Sequence, residues 1–323
     1  MRIMTSDTQS NGRRLCSYVL ITPARNEEQY IRKTIEAVIS QTLLPRRWII
    51  VSDGSTDRTD AIVSEYLPGH PWMQLIRKER QSERNFASKA ASVNAALKIL
   101  ETLEYDVVGN LDADITFGNT YFESLMERFA ADPQLGVAGT AFVDDSMKYN
   151  YDFVGIEHVS GMCQLFRREC FAQIGGYRHI PGGGVDLVAV TTARMKGWKT
   201  RTFTDLSCRH HRKMGTSLSG PIRLRYRYGV EDYYLGSHPL WEILRCVRHV
   251  SDRPLILSSL SLFAGYSISY IRRIPRPVPE EFVKFRRREQ MTRLKKIVLK
   301  ALVPDAFRTK FLERDQRSQI ANR

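Results

Sequence analysis

Apolar positions along the first two thirds of the chain switch between two periods. Residues 17–22 (SYVLIT) form a short, β-rich apolar run that reads as a buried strand. Ile31, Ile35, Val38 and Ile39 then recur at helical spacing, and residues 48–51 (WIIV) read as the next strand. Ala61, Ile62, Glu65 and Tyr66 continue a helix that starts near residues 55–57, which are of the types that cap helices. The same reading gives strands at 73–76 and 106–111, helices over 87–103 and 121–131, and extended chain at 137–142. Beyond residue 145 the pattern loosens. Residues 164–168 look like a strand turning into a short helix, 185–196 a helix and 200–203 a strand.

Such alternation predicts an α/β protein with parallel strands joined by right-handed crossovers. Open sheets of this kind bind ligands at the carboxyl ends of their strands. The residues found there are Pro23-Ala24-Arg25-Asn26-Glu27, Asp53-Gly54-Ser55-Thr56-Asp57 and Asp112-Ala113-Asp114. Three acid-bearing clusters thus fall on one edge of one sheet.

Each cluster has a chemical reading and a plainer structural one. Asp112 and Asp114, two apart in extended chain, point to the same side and suit one divalent ion, Mg²⁺ or Mn²⁺; the alternative is a solvated turn. Asp53 can accept hydrogen bonds from a base or a ribose, whereas Gly54, Ser55 and Asp57 also read as a turn and helix cap. Arg25 can meet a phosphate. Glu27 also reads as a helix-start acid held by the helix dipole. Asp186 follows Gly182-Gly183-Gly184 and opens a helix. It is placed either to deprotonate an acceptor hydroxyl or to cap. In Arg209-His210-His211-Arg212, adjacent side chains face opposite ways, so at most one histidine faces a cleft. Its imidazole suits a Mn²⁺-type ion or a phosphate, and the flanking arginines favour a nearby anion.

Composition narrows the class. The 323 residues are 42% hydrophobic and 26% charged, which suits a soluble globular chain and excludes collagen, coiled coil, wholesale disorder and a polytopic membrane protein. The five cysteines are odd in number and form no CxxC pair, which argues against a disulfide framework and a thiolate zinc site, and for a reducing compartment. Residues 1–14 lack the apolar core of a signal peptide, and residues 1–16 read as a flexible leader.

Net charge is +14, and residues 271–323 hold 16 Lys/Arg against 6 Asp/Glu, ten of those fourteen charges. A basic segment attracts an anionic membrane or nucleic acid; a solvated helix face is the plainer reading. No nucleic-acid-binding motif accompanies it, so nucleic acid is disfavoured. Arg223–Tyr228 interleaves arginines with aromatic residues, and Arg286-Arg287-Arg288 lies further on. Residues 255–271 (LILSSLSLFAGYSISYI) are uncharged but diluted by five serines and a glycine. A buried or interfacial helix is favoured there over a membrane span.

Taken in order, ITPARNEE, VSDGSTD, NLDAD, GGY and GGVD resemble family 2 glycosyltransferases of the GT-A fold, over about residues 17–212. The resemblance implies a mostly parallel Rossmann-like sheet flanked by helices, with a helical basic C-terminal extension. It implies inverting transfer of a sugar from a nucleoside diphosphate to a saccharide or lipid-linked acceptor. Pro23, Glu27 and Asp53 match positions that hold base and ribose. Asp112 and Asp114 match the metal and ribose motif, and Asp186 the acid that deprotonates the acceptor. His210 or His211 matches a histidine near metal or diphosphate, and Asn94 an asparagine on the helix before the metal motif. The chain departs in having Val185 where many members have a second acid. It also lacks QxxRW and several spanning helices, which implies a non-processive enzyme.

The organisation expected is a leader (1–16), a GT-A domain (17–215) and a basic helical region (216–323), working in the cytoplasm at the inner face of the membrane. Two other classes compete. A nucleotidyltransferase making nucleotide-sugars would carry a Gly-rich basic loop after the first strand. A non-catalytic nucleotide-binding, membrane-docking protein would use the carboxylates structurally.

Overall fold

The computed structural model describes residues 9–10, 13–79, 86–143, 155–180, 182–212, 220–250 and 256–302. The chain divides into two compact units, Met1–Ser217 and Leu218–Arg323.

The first unit is built on an eight-stranded sheet. In chain order its elements are the short strands β1 (Gln9–Ser10) and β2 (Arg13–Arg14), which pair with each other, then β3 (Tyr18–Ala24), α1 (Ile31–Ile39), β4 (Arg47–Asp53), α2 (Thr59–Tyr66), β5 (Met73–Lys78), α3 (Phe86–Leu100), β6 (Val107–Leu111), β7 (Ile115–Phe117), α4 (Tyr121–Ala131), β8 (Leu135–Val143), β9 (Cys163–Arg167), α5 (Arg168–Ile174), α6 (Val185–Met195) and β10 (Lys199–His210). The sheet order is β5-β4-β3-β6-β9-β8-β10-β7.

Strands β4, β3 and β6 are adjacent and parallel. Their carboxyl ends therefore share one edge, as the alternation of periods predicts. The mostly parallel expectation needs one amendment: β9 runs antiparallel to both β6 and β8. Strand β10 is also longer than 200–203. It pairs in parallel with β8, is interrupted between Phe203 and Ser207, and finishes antiparallel to β7 with His210 opposite Ile115.

The central strands are buried on both faces, β6 throughout, which is why they read as continuous apolar runs. Tyr18 stacks on Phe122 at 4.9 Å and donates its hydroxyl to the Leu43 carbonyl at 2.6 Å. Trp48 is fully buried, and its indole N–H donates to Thr22 Oγ1 at 2.9 Å. All five cysteines are free, and Cys163, Cys170 and Cys208 are buried.

The second unit is helical: α7 (Pro221–Tyr234), α8 (Pro239–Arg248), α9 (Leu257–Ile271) and α10 (Glu280–Leu302). Helices α7 and α9 meet where Gly229 and Gly265 each lie against the other's backbone, too close to admit a Cβ. The buried Asp232 pairs with Arg245 and Arg286. Burial raises the pKa of the nearby Glu242 to about 8. No helix among the described residues is long and apolar enough to cross a membrane. The basic residues beyond 302 lie outside the described residues.

Replacing Thr22 by Val keeps its shape but strands a buried indole N–H. The variant should lose about 1–3 kcal/mol of stability in denaturant unfolding.

Candidate active site

The loops after β3 and β4 are clasped to each other. Asn26, in the left-handed region at φ 54°, accepts from the Thr56 amide at 2.8 Å, and its own amide donates to Ser55 Oγ at 3.2 Å. Asp57 accepts from the amides of Glu28 and Thr59 at 3.1 and 3.0 Å. Its pKa is lowered: burial works in the other direction, and the Thr59 and backbone hydrogen bonds prevail. Asp57 and Ser55 thus have structural work to do. Pro23 sits in β3 opposite Val51. Asp53, the last residue of β4, is buried, with Arg25 Nη1 at 3.7 Å and Lys78 Nζ at 3.9 Å.

Glu27 is more than a helix-start acid. Its carboxylate is ion-paired to Arg212, whose Nε lies 3.3 Å from Asp114 Oδ2. The anions that Arg212 meets are these two acids. Asp114 is buried, and its pKa is lowered because the hydrogen bond from His210 and the charges of His210 and Arg212 outweigh burial.

The pairing of β10 with β7 explains which histidine reaches the acid. His211 N donates to the Asp114 carbonyl at 3.0 Å, and His210 Nε2 then lies 3.4 Å from Asp114 Oδ2. His211 points to the other side: its ring contacts Thr116 Oγ1 at 2.9 Å and stacks on Tyr30. Burial, with Lys33 and Arg209 nearby, lowers its pKa. The two adjacent imidazoles thus part company, as extended chain requires.

Asp112 and Asp186 meet at a residue that sequence reasoning missed. Lys89, on α3, places Nζ 2.9 Å from Asp112 Oδ1, 3.6 Å from Asp186 Oδ1 and 3.0 Å from the Gly161 carbonyl. Its pKa is raised: burial opposes the charge, and the two aspartates overcome that. Gly161 lies against the Asp186 carboxylate where a Cβ would collide. Asp186 stands in the first turn of α6, after Gly182, Gly183 and Gly184 at φ 94°, 120° and 80°, conformations only glycine adopts freely. Burial raises Asp112 to about 6, with the charges of Asp114 and Asp186 adding to it and Lys89 opposing both.

Lys89 had a signal, being the single charge in residues 86–97. Gly161 had none. Asn94, on the same helix, donates to the Tyr177 carbonyl at 3.1 Å and so holds the Gly-Gly-Tyr loop.

Among the described residues, no three His, Cys, Asp or Glu side chains cluster closely enough to hold a metal by themselves. Asp114 and His210 still make a two-donor set, ionised oxygen facing imidazole nitrogen. Such a set suits a Mn²⁺- or Mg²⁺-type ion whose other ligands come from phosphate and water.

The chain is an α/β protein whose sheet, with an antiparallel strand inserted beside adjacent parallel ones, has the GT-A fold of solved glycosyltransferases. Residues 19–175 match the model of glycosyl transferase family 2. Through that segment the chain is similar to this family. It is 25% identical over 212 residues to a β-monoglucosyldiacylglycerol synthase of Synechocystis sp., covering 63% of this chain and 42% of that protein. It is 26% identical over 198 residues to the poly-β-1,6-N-acetyl-D-glucosamine synthase of Staphylococcus epidermidis, covering 55% and 44%. The chain spans less than half the length of these relatives. A mannosyltransferase from Pyrobaculum calidifontis, solved with GDP-Man and Mn²⁺, shares the fold at a TM-score of 0.54 and 18% identity, covering 91% of this chain and 83% of that one.

Folded Asp112 takes up its proton at a higher pH than unfolded Asp112. Its contribution to stability should therefore decline as pH rises from about 4 to about 6. Unfolding free energies of the wild type minus those of Asp112→Asn should fall across that window; a flat difference would contradict the assignment.

Proposed function

We propose that the chain transfers a sugar, with inversion, from a nucleoside-diphosphate donor to a hydroxyl of a saccharide or lipid-linked acceptor in glycan assembly. Residues 17–215 are the catalytic domain and the basic helical region, 216–323, keeps the enzyme at the inner face of the cell membrane. The observation that carries the reading is the gathering of Asp112 and Asp186 around Lys89, beside an Asp114 kept ionised. The family match and the fold shared with a GDP-Man-bound mannosyltransferase support the donor class.

In this reading Pro23, Glu27 and Asp53 receive the base and ribose at the ends of β3 and β4, and Arg25 meets a phosphate. Asp112, the first acid of a DxD motif, contacts the ribose side of the donor. Asp114 and His210 would hold a divalent cation, which would supply Lewis-acid compensation of charge at the diphosphate. Asp186 accepts the proton of the acceptor hydroxyl as its oxygen attacks the sugar. Gly161 gives Asp186 room, and Lys89 sets its orientation. Asn94 acts through the Gly-Gly-Tyr loop rather than on the donor. His211, turned to Tyr30 and Thr116, supports β10.

Asp186→Asn should lower kcat by about 10²–10⁴-fold while leaving donor affinity within about twofold, read by steady-state kinetics and calorimetric titration. Unchanged turnover would remove Asp186 from the chemistry. A screen of UDP-, GDP- and dTDP-sugars should find one whose hydrolysis stops in EDTA and returns with Mg²⁺ or Mn²⁺. Asp114→Ala should abolish that return, and full activity in chelator would exclude the cation.

A further inference from the structure

We propose that the second unit, Leu218–Arg323, docks on an anionic lipid bilayer through one inside-out face made by α8 and α9. This deepens the membrane reading above and rests on a separate observation.

Both helices present the wrong side to water. Helix α8 buries Trp241 and the acid Glu242, and turns Leu240, Ile243 and Val247 outward, Val247 at 64% exposure. Their spacing of three and four residues sets them on one face. Helix α9 is inverted in the same way. Ser258, Ser259, Gly265 and Ser269 face inward beside Leu262 and Tyr266, while Leu257, Leu260 (57%), Phe263 and Ile271 (78%) face out. The inward serines are satisfied within the unit: Ser259 Oγ donates to the Cys246 carbonyl of α8 and Ser269 Oγ to the Gly265 carbonyl, each at 2.7 Å. A helix in water buries its apolar stripe. Two neighbouring helices that bury serine and expose leucine, isoleucine and phenylalanine mark a contact with an apolar medium.

Charge selects the medium. Arg248 ends α8, and Arg272 and Arg273 follow α9, all three exposed. The unit carries 22 Lys/Arg against 10 Asp/Glu. A second copy on this face would bring those arginines together, whereas anionic headgroups neutralise them. Tyr270, half exposed and stacked on Tyr266, sits between the apolar face and Arg272, where an aromatic ring suits headgroup depth. Helix α9 has 15 residues, a length of about 22 Å against a hydrocarbon core of about 30 Å. Ile256 and Arg273, at φ 53° and 49°, turn the chain sharply at its two ends. The helix therefore lies in the interface instead of crossing it.

Flotation of the full chain with vesicles of phosphatidylcholine and phosphatidylglycerol at 70:30 tests this. The wild type should float at low salt, at least tenfold more than with pure phosphatidylcholine. Leu260→Glu with Phe263→Glu should reduce flotation tenfold or more with an unchanged far-UV circular dichroism spectrum; Leu260→Ser with Phe263→Ser serves if the spectrum changes. Arg272→Gln with Arg273→Gln should weaken binding to anionic vesicles only. The proposal is overturned if the wild type stays unbound or if the double variants float as well as it does. It is equally overturned if light scattering shows a dimer that Leu260→Glu with Phe263→Glu makes monomeric. Donor hydrolysis in vesicle-free buffer is read separately: its absence in a wild type that floats would remove the transferase reading and leave this one standing.

Discussion

Carboxylates at the ends of buried strands lose much of their water, and each must find a cation or a proton. This chain answers with alternating charges along the sheet edge. Arg25 meets Asp53, Arg212 bridges Glu27 and Asp114, and Lys89 bridges Asp112 and Asp186. Removing Lys89 would leave Asp112 and Asp186 without the cation they share, which costs more than the pair was worth. The arrangement explains why Asp114 is lowered while its neighbour Asp112 is raised: a hydrogen bond from His210 and the charge of Arg212 outweigh burial at the first, whereas burial and two acids outweigh one lysine at the second.

The two units of the chain solve the burial problem in opposite senses. The first puts apolar strands inside and polar loops at the rim. The second buries serine, glycine and an Asp232–Arg245–Arg286 cluster beside apolar residues such as Leu262 and Phe282, and leaves further aliphatic side chains of α8 and α9 outside. The close approach of α7 and α9 at Gly229 and Gly265 permits this, because backbone contact replaces side-chain interdigitation at that crossing.

Much of the first unit was legible in the sequence because its strands are buried on both faces and its helices on one, which stamps two clear periods on the chain. The shared edge of β4, β3 and β6 followed from that alternation. Other features left no such mark. Strand β7 has three residues and is defined by its partner β10, far away in sequence. The second half of β10 carries exposed polar side chains, so no apolar run announces it. Lys89 was visible as an isolated charge, but its two aspartates were not, since a periodic pattern reports burial and says nothing of partners. In α8 and α9 periodicity marks two faces without saying which is inside. Only the burial of Glu242 and Ser259 reveals the inversion.

The antiparallel pairing of β10 with β7 has one more consequence. Asp114 and His210 are tied together by the main-chain bond from His211 to the Asp114 carbonyl, one rung from the side chains themselves. Any sliding or flexing of the strand carries acid and imidazole along as a single body. Their spacing is thereby set by peptide geometry, which varies by tenths of an ångström, and is insulated from rotation of the loops around them.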